Sequence, residues 1–316
     1  MRIVFMGTDR FAVPSLKMLS DSKFDIACVI TQPDHPKGRG LKLAFSPVKE
    51  AALNMGLIVY QPQKIRDIEF VAKLQNDISP DLIIVSAFGQ ILSKALLDMP
   101  VYGCINLHPS LLPKYRGAAP IQRAIMNGES ETGVTIMFMD EGEDTGDIIV
   151  QESIEIRSGD NAESLSAKLA DLSAKMLFDL LNRGSLETLP RQAQDPDKVI
   201  YAPKLSKDEG LIDWSKSSLE IHNLIRGTLP WPGAYIDFDD KMLRIWESKL
   251  PDKKENIIAN AGTIIKIIPD SGIMVATGDG AIIITVVQPT NKSKMKAKDF
   301  VNGYRLKPGD RLGKQF

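Results

Sequence analysis

Ile3-Val4-Phe5-Met6-Gly7-Thr8-Asp9-Arg10-Phe11-Ala12 opens the chain with four apolar, strand-forming residues, a glycine turn and then the helical pattern of Ala12–Leu19. The same strand-then-helix alternation continues in strand Ile26–Thr31, helix Val48–Met55, strand Asp81–Ala87, helix Leu92–Leu97 and strand Cys104–His108. Strands separated by helices predict βαβ units, and therefore a mostly parallel sheet with helices on both faces. Such a sheet takes its ligand outside the carboxyl ends of its strands. The first βα turn lacks the glycines that bring backbone against a pyrophosphate, which argues against a nicotinamide-dependent dehydrogenase.

Outward from this core, a short helix is expected over Ala118–Met126, strands over Val134–Met139 and Ile148–Ile156, and a long amphipathic helix over Ala162–Leu181. From Asn182 to Asp208 no periodicity persists, and Gly184, Pro190, Pro196 and Pro203 interrupt the pattern. A second domain starts near Ser206 with a helix at Leu219–Ile225. Short strands follow at Ala234–Phe238, Leu243–Trp246, Gly262–Ile268, Met274–Ala276 and Ile282–Val287. Short strands with frequent turns suggest a small β-barrel of the oligonucleotide-binding (OB) kind. The expected organisation is an α/β, Rossmann-like domain over residues 1–189, a linker over 190–205 and an OB-like domain over 206–316.

With 43% hydrophobic and 25% charged residues in 316, the composition is that of a water-soluble protein, and no apolar run nears the ~20 residues of a membrane helix. The amino terminus enters a strand pattern without the regions of a secretory signal, so the mature chain is expected to start here and to be cytoplasmic. Two cysteines, Cys28 and Cys104, sit in apolar strand-like runs and read as small buried residues in a reducing compartment, not as a disulfide or metal site. The net charge of −1 hides an uneven distribution: residues 291–316 carry eight Lys or Arg against Asp299 and Asp310. A basic end suggests a polyanionic partner, although a solvated lysine-rich turn gives the same pattern.

The richest segment is Asn106-Leu107-His108-Pro109-Ser110-Leu111-Leu112-Pro113. Residues two apart on a strand share a face, so Asn106 and His108 project together where the strand ends. Pro109 and Pro113 bracket a stiff loop whose backbone could clamp a planar ligand. A glycine-punctuated acidic loop, Asp140-Glu141-Gly142-Glu143-Asp144-Thr145-Gly146-Asp147, lies between two strands and lacks the ligand spacing of a calcium loop, so no metal is expected. Acyl transfer to an amine needs groups of these kinds. An amide donor stabilises the tetrahedral oxyanion, an imidazole moves protons, and a carboxylate from the acidic loop orients the imidazole and favours its charged form.

Several segments together carry a more specific signal: Phe5-Met6-Gly7-Thr8, Thr31-Gln32-Pro33-Asp34, Asn106 to Pro113, Tyr115-Arg116-Gly117-Ala118-Ala119-Pro120-Ile121-Gln122 and Glu131-Thr132-Gly133-Val134-Thr135-Ile136. With Asp144-Thr145-Gly146-Asp147 and Pro230-Trp231-Pro232-Gly233-Ala234, they make the chain resemble the methionyl-tRNA formyltransferases over nearly its whole length. The resemblance implies formyl transfer from 10-formyl-tetrahydrofolate, the donor co-substrate, to the methionyl amine of initiator tRNA. It places Asn106, His108 and Asp144 at the catalytic positions and Ser110, Leu111, Leu112 and Pro113 on the folate-contacting loop. Asp9 departs from the proline common in the family's first turn and lies outside the chemical trio.

Residues 33–47, too long and glycine-rich for a minimal connection, resemble the family's inserted loop that enters the acceptor end of the tRNA, with Lys37, Arg39 and Lys42 able to meet phosphates. Lys294, Lys296 and Lys298 are expected to carry general tRNA affinity. A monomer is expected. Two rivals stand beside this reading: a related folate-dependent formyltransferase acting on a glycinamide or sugar-nucleotide amine, and a tRNA-binding protein that has kept the fold without the activity.

Overall fold

A computed structural model describes residues 1–22, 24–37, 42–183, 186–253, 258–269 and 272–313. The chain forms two compact units. One comprises Met1–Pro120, Glu131–Glu155 and Ser166–Ala202, and the other comprises Ile121–Ser130, Ile156–Leu165 and Pro203–Phe316.

Strand β1 (Arg2–Gly7) is followed by helix α1 (Val13–Ser20) and β2 (Asp25–Ile30). A short hairpin, β3 (His35–Lys37) and β4 (Lys42–Ala44), precedes α2 (Pro47–Asn54), β5 (Val59–Tyr60) and α3 (Ile68–Lys73). Then come β6 (Leu82–Ser86), α4 (Lys94–Leu97), β7 (Cys104–His108), β8 (Lys114–Arg116) and α5 (Pro120–Met126). Strands β9 (Glu131–Phe138) and β10 (Ile148–Glu155), the long helix α6 (Ala162–Asn182) and β11 (Ile200–Tyr201) complete this part.

The main sheet runs in the order β10-β9-β7-β6-β1-β2-β5. From β5 to β7 the strands are parallel, whereas β9 and β10 are antiparallel. Ile3, Val4, Phe5 and Met6 of β1 are all fully buried, so both faces of the strand are covered. Val4 and Met6 pack with Cys28, Ile30, Ile83, Val85 and Cys104 against Ile65 and Leu74, while Ile3 and Phe5 face the opposite side. Local chemistry sets the starts of the helices. At α2, Ser46 accepts the Lys49 N–H at 3.0 Å and Pro47 occupies the first turn, where its missing donor costs nothing. The order of strands reverses between β1 and β6, which puts the crevice for a ligand at their carboxyl ends, beside β7.

Cys28 and Cys104 are both buried, as expected, and burial pushes their thiols up to about 12. The expected helices and strands recur with ends shifted by a few residues, and short elements beyond those expected are present, among them the β3–β4 hairpin, β5, α3, β8 and β11. Helix α3 is six residues long and rests only Phe70 and Val71, half-buried, against the core, too short a pattern to show a helical period in the sequence. Residues 190–202, in the stretch expected as a linker, run along this unit: Gln192 bridges Ile148, and β11 pairs with β8.

In the second unit, α7 (Ser218–Gly227) starts at a capping box made by Ser217 and Glu220 and buries Ile221 and Ile225. Strands β12 (Tyr235–Phe238), β13 (Lys241–Lys249), β14 (Ile264–Ile268), β15 (Gly272–Ala276) and β16 (Ala281–Pro289) form an antiparallel sheet in the order β12-β13-β16-β15-β14, with β17 (Met295–Lys296) on β16. Its apolar face, with Leu243, Ile245, Val275 and Ile284, packs on Ile221, Ile225 and the terminal helix α8 (Ala297–Tyr304). This helix escapes a reading from sequence because Lys298 and Asp299 interrupt the short stripe of Ala297, Phe300 and Val301 that it buries. Phe300 is 1% exposed and meets Phe238 edge-on at 5.3 Å between ring centroids.

Phe300→Ala removes the centre of this aromatic group, and such truncations cost about 3–5 kcal/mol. Urea denaturation of the full chain is expected to lose this amount from the transition of the second unit. An unchanged midpoint would show that α8 is dispensable to that core.

Candidate active site

The hydrogen-bond register of β7 decides which side chains meet. Its residues 104, 106 and 108 share one face, and Cys104 packs into the core there, leaving Asn106 half-buried and His108 at 4% exposure. Opposite them on β9 stand Met137 and Thr135. The acidic loop begins at the other end of β7, where the Met139 N–H donates to the Cys104 carbonyl at 2.8 Å, and folds back over this face.

Asp144 is where the loop reaches the strand. Its Oδ1 accepts from Asn106 Nδ2 at 3.4 Å, and its Oδ2 lies 3.5 Å from His108 Nδ1. The Gly117 N–H, at 2.8 Å from Oδ2, is the shortest of the three contacts. Nε2 of His108 faces the Tyr115 carbonyl at 2.9 Å, so both ring nitrogens face oxygen acceptors and both can donate only when the ring is an imidazolium. Asn106 is more open than His108, and an amide nitrogen carries two hydrogens, so one remains for a ligand oxygen beside the bond to Asp144.

Asp144 adopts a left-handed backbone with φ 54°, uncommon for a residue with a side chain. The glycine after Thr145 has a steric reason, because a Cβ on Gly146 would lie 2.0 Å from the Phe138 carbonyl oxygen. Gln194 holds the loop backbone from outside. Its Nε2 donates to the carbonyls of Asp144 at 2.9 Å and Gly146 at 2.8 Å, while its Oε1 accepts from Arg116.

The loop after β7 is pinned by two polar side chains of the antiparallel strands. Thr135 Oγ1 donates to the Ser110 carbonyl at 2.6 Å and accepts the Leu112 N–H at 3.1 Å. Gln151 Nε2 donates to both the Leu112 carbonyl and Thr135 Oγ1 at 2.8 Å. Ser110 and Leu112 are buried, and Leu112 packs with Met137 and Ile148. Leu111 and Pro113 are partly exposed, so of these four side chains they are the ones open to a flat ligand.

Asn106, His108 and Asp144 therefore converge, and the 110–113 loop lies directly after them. Tyr115, Gly117 and Thr135 lie in segments that carry the resemblance but have no role assigned by it, and Gln151 and Gln194 lie outside them: two act through backbone atoms, Thr135 and Gln151 are polar residues inside strands, and Gln194 falls in a stretch without periodicity. Of the basic residues, Arg39 and the side chains of Lys37 and Lys42 lie outside the described residues, although the backbones of Lys37 and Lys42 pair across the β3–β4 hairpin. Lys294 and Lys296 are exposed on the second unit, and Lys298 is half-buried on α8. The Lys294 ammonium rests 3.3 Å from the centre of the Trp246 ring, a cation–π contact. Among the described residues no helix is long and apolar enough to cross a membrane.

Comparison with known proteins brings these observations under one family. Residues 1–181 match the formyl transferase family model, and residues 204–305 match the formyl transferase C-terminal domain. Methionyl-tRNA formyltransferase of Ruminiclostridium cellulolyticum is 46% identical over 314 residues, covering 99% of this chain and 100% of that protein. Among solved structures, an N-formyltransferase from Helicobacter canadensis in complex with folinic acid and dTDP-3-aminofucose has a TM-score of 0.66 at 22% identity, covering 91% of this chain and 98% of that one. HypX from Aquifex aeolicus in complex with tetrahydrofolic acid has a TM-score of 0.64 at 17% identity, covering 97% of this chain, which spans 48% of that longer one. These two likenesses establish the shared fold, and the close sequence match establishes the lineage: the chain belongs to the methionyl-tRNA formyltransferase family.

Proposed function

We propose that the protein transfers the formyl group of 10-formyl-tetrahydrofolate to the α-amino group of methionyl initiator tRNA, giving formyl-methionyl-tRNA, and works as a monomer in the cytoplasm. The observation that carries this reading is the convergence of Asn106, His108 and Asp144 on one face of β7 in a chain of this family. Incubation with methionyl initiator tRNA and labelled formyl donor tests it directly. Labelled formyl-methionine is the expected product, and its absence, or preferred transfer to a sugar-nucleotide amine, overturns the assignment.

The transfer is direct, with no covalent enzyme intermediate. The methionyl amine, whose ordinary pKa is about 8, attacks in its neutral form. Its nitrogen bonds to the formyl carbon and gives up a proton, the carbonyl oxygen becomes an oxyanion, and collapse restores the carbonyl and breaks the bond to the folate nitrogen, which takes up a proton. The free hydrogen of Asn106 Nδ2 stabilises the oxyanion. Because His108 is 4% exposed against 16% for Asp144, the imidazolium serves the reacting atoms from behind the carboxylate, stabilising negative charge and feeding the proton route that Asp144 mediates. Leu111 and Pro113, with the backbone pinned by Thr135 and Gln151, would hold the flat folate ring.

In this reading residues 1–189 carry the chemistry and 206–316 the general tRNA affinity, joined through 190–205. Lys37, Arg39 and Lys42 work at the acceptor end, as the resemblance implies.

Asn106→Ala and His108→Ala are each expected to lower kcat by about two orders of magnitude with tRNA affinity little changed, the size usual for oxyanion and acid–base groups. Steady-state kinetics alongside a binding assay measure both, and near-normal turnover in either variant removes that residue from the mechanism. Replacing Lys294, Lys296 and Lys298 together by Gln is expected to weaken initiator and elongator tRNA alike. The salt slope of binding should flatten by about one unit per lost phosphate contact. A slope equal to that of the unaltered protein would place tRNA affinity elsewhere.

A further inference from the structure

We propose that Gln194 is a positioning residue for formyl transfer, holding the Asp144 carboxylate in register with Asn106 and His108 through the backbone of the acidic loop. The inference rests on the function proposed above and adds a residue that neither the motifs nor the comparisons single out.

The geometry is a two-sided clamp. On one side, Gln194 Oε1 accepts from Arg116 Nε at 3.0 Å and Nη2 at 2.8 Å. A guanidinium only donates, so this pair fixes which end of the amide is the oxygen and turns the NH2 the other way. On that other side, Nε2 donates to the carbonyls of Asp144 and Gly146, at 2.9 and 2.8 Å. The Asp144 carbonyl belongs to the peptide plane that follows this left-handed residue and the Gly146 carbonyl to the one after Gly146, so the two bonds fix the backbone on the carboxyl side of Asp144.

Arg116 is 8% exposed and immediately precedes Gly117, whose N–H is the closest partner of the Asp144 carboxylate at 2.8 Å. One side chain thus ties the backbone that carries the carboxylate to the segment that grips it. The loop cannot take up slack by moving inward at Gly146, where a Cβ would already meet the Phe138 carbonyl oxygen at 2.0 Å. Losing the clamp frees the loop outward, away from β7. Gln194 is neutral, so its contribution is to distance and angle, and a displacement of about 1 Å at a reacting group can cost about 100-fold in rate.

Two substitutions separate the sides of the clamp. Gln194→Glu keeps an acceptor for Arg116 but sets a carboxylate oxygen against two carbonyls, whereas Gln194→Ala removes both sides. Each is measured in the full chain, alone and combined with Asp144→Asn, for kcat, for KM of donor and tRNA, and for the thermal midpoint. Both Gln194 variants are expected to lose about 10- to 100-fold in kcat, with both KM values within about two-fold. In the Asp144→Asn background either substitution should remove less than about a further two-fold, because groups that act as a unit are not additive. A folded Gln194→Glu protein with normal kcat overturns the proposal. So does a loss confined to KM, or one that multiplies in full with that of Asp144→Asn. If Asp144→Asn alone retains full activity, the catalytic reading of Asp144 has failed. If Asp144→Asn is impaired while both Gln194 variants are normal, only the clamp has failed.

Discussion

The Asp144 carboxylate receives the Gly117 N–H at 2.8 Å and lies within 3.5 Å of both Asn106 and His108, so the acidic loop has to meet both the end of β7 and the turn after β8. A carboxylate partly withdrawn from water is stable only when its oxygens are satisfied, and here a backbone donor, an amide and an imidazole share that task. The rest of the site follows from this meeting point. Strand β7 has to end where it does, the turn after β8 has to present a glycine with φ 115°, and the acidic loop has to double back over the strand.

The antiparallel end of the sheet makes that return possible. A parallel neighbour would leave β7's side by a crossover helix, whereas β9 runs the other way and delivers its loop beside Cys104. The same two strands supply Thr135 and Gln151, which fix the 110–113 loop. Thr135 also stands opposite His108 in the register. A slip of one residue between β7 and β9 would therefore misplace the imidazole and the loop at once.

The parallel core was legible in the sequence because runs such as Ile3–Met6 and Cys104–His108 are both strand-forming and bounded by turns. Asn106 and His108 were legible as a pair because strand geometry fixes their common face. Among five acidic residues in the loop, Asp144 stood out only through family resemblance, since its place depends on a backbone conformation that composition does not encode. Gln194 was invisible for a related reason: its partners are carbonyls and a guanidinium, which leave no periodic trace. Helix α8 hid because its eight residues bury only Ala297, Phe300 and Val301, a stripe too short to set a period.

Both cysteines of the chain lie in the first unit, buried on β2 and β7 of the same sheet, with thiols pushed up to about 12. Only the thiolate attacks an alkylating reagent, so neither sulfur reacts while the sheet is closed. The second unit contributes no thiol at all. Covalent labelling of the native protein is consequently a clock that times the opening of the first unit alone, without an introduced probe and without a signal from the rest of the chain.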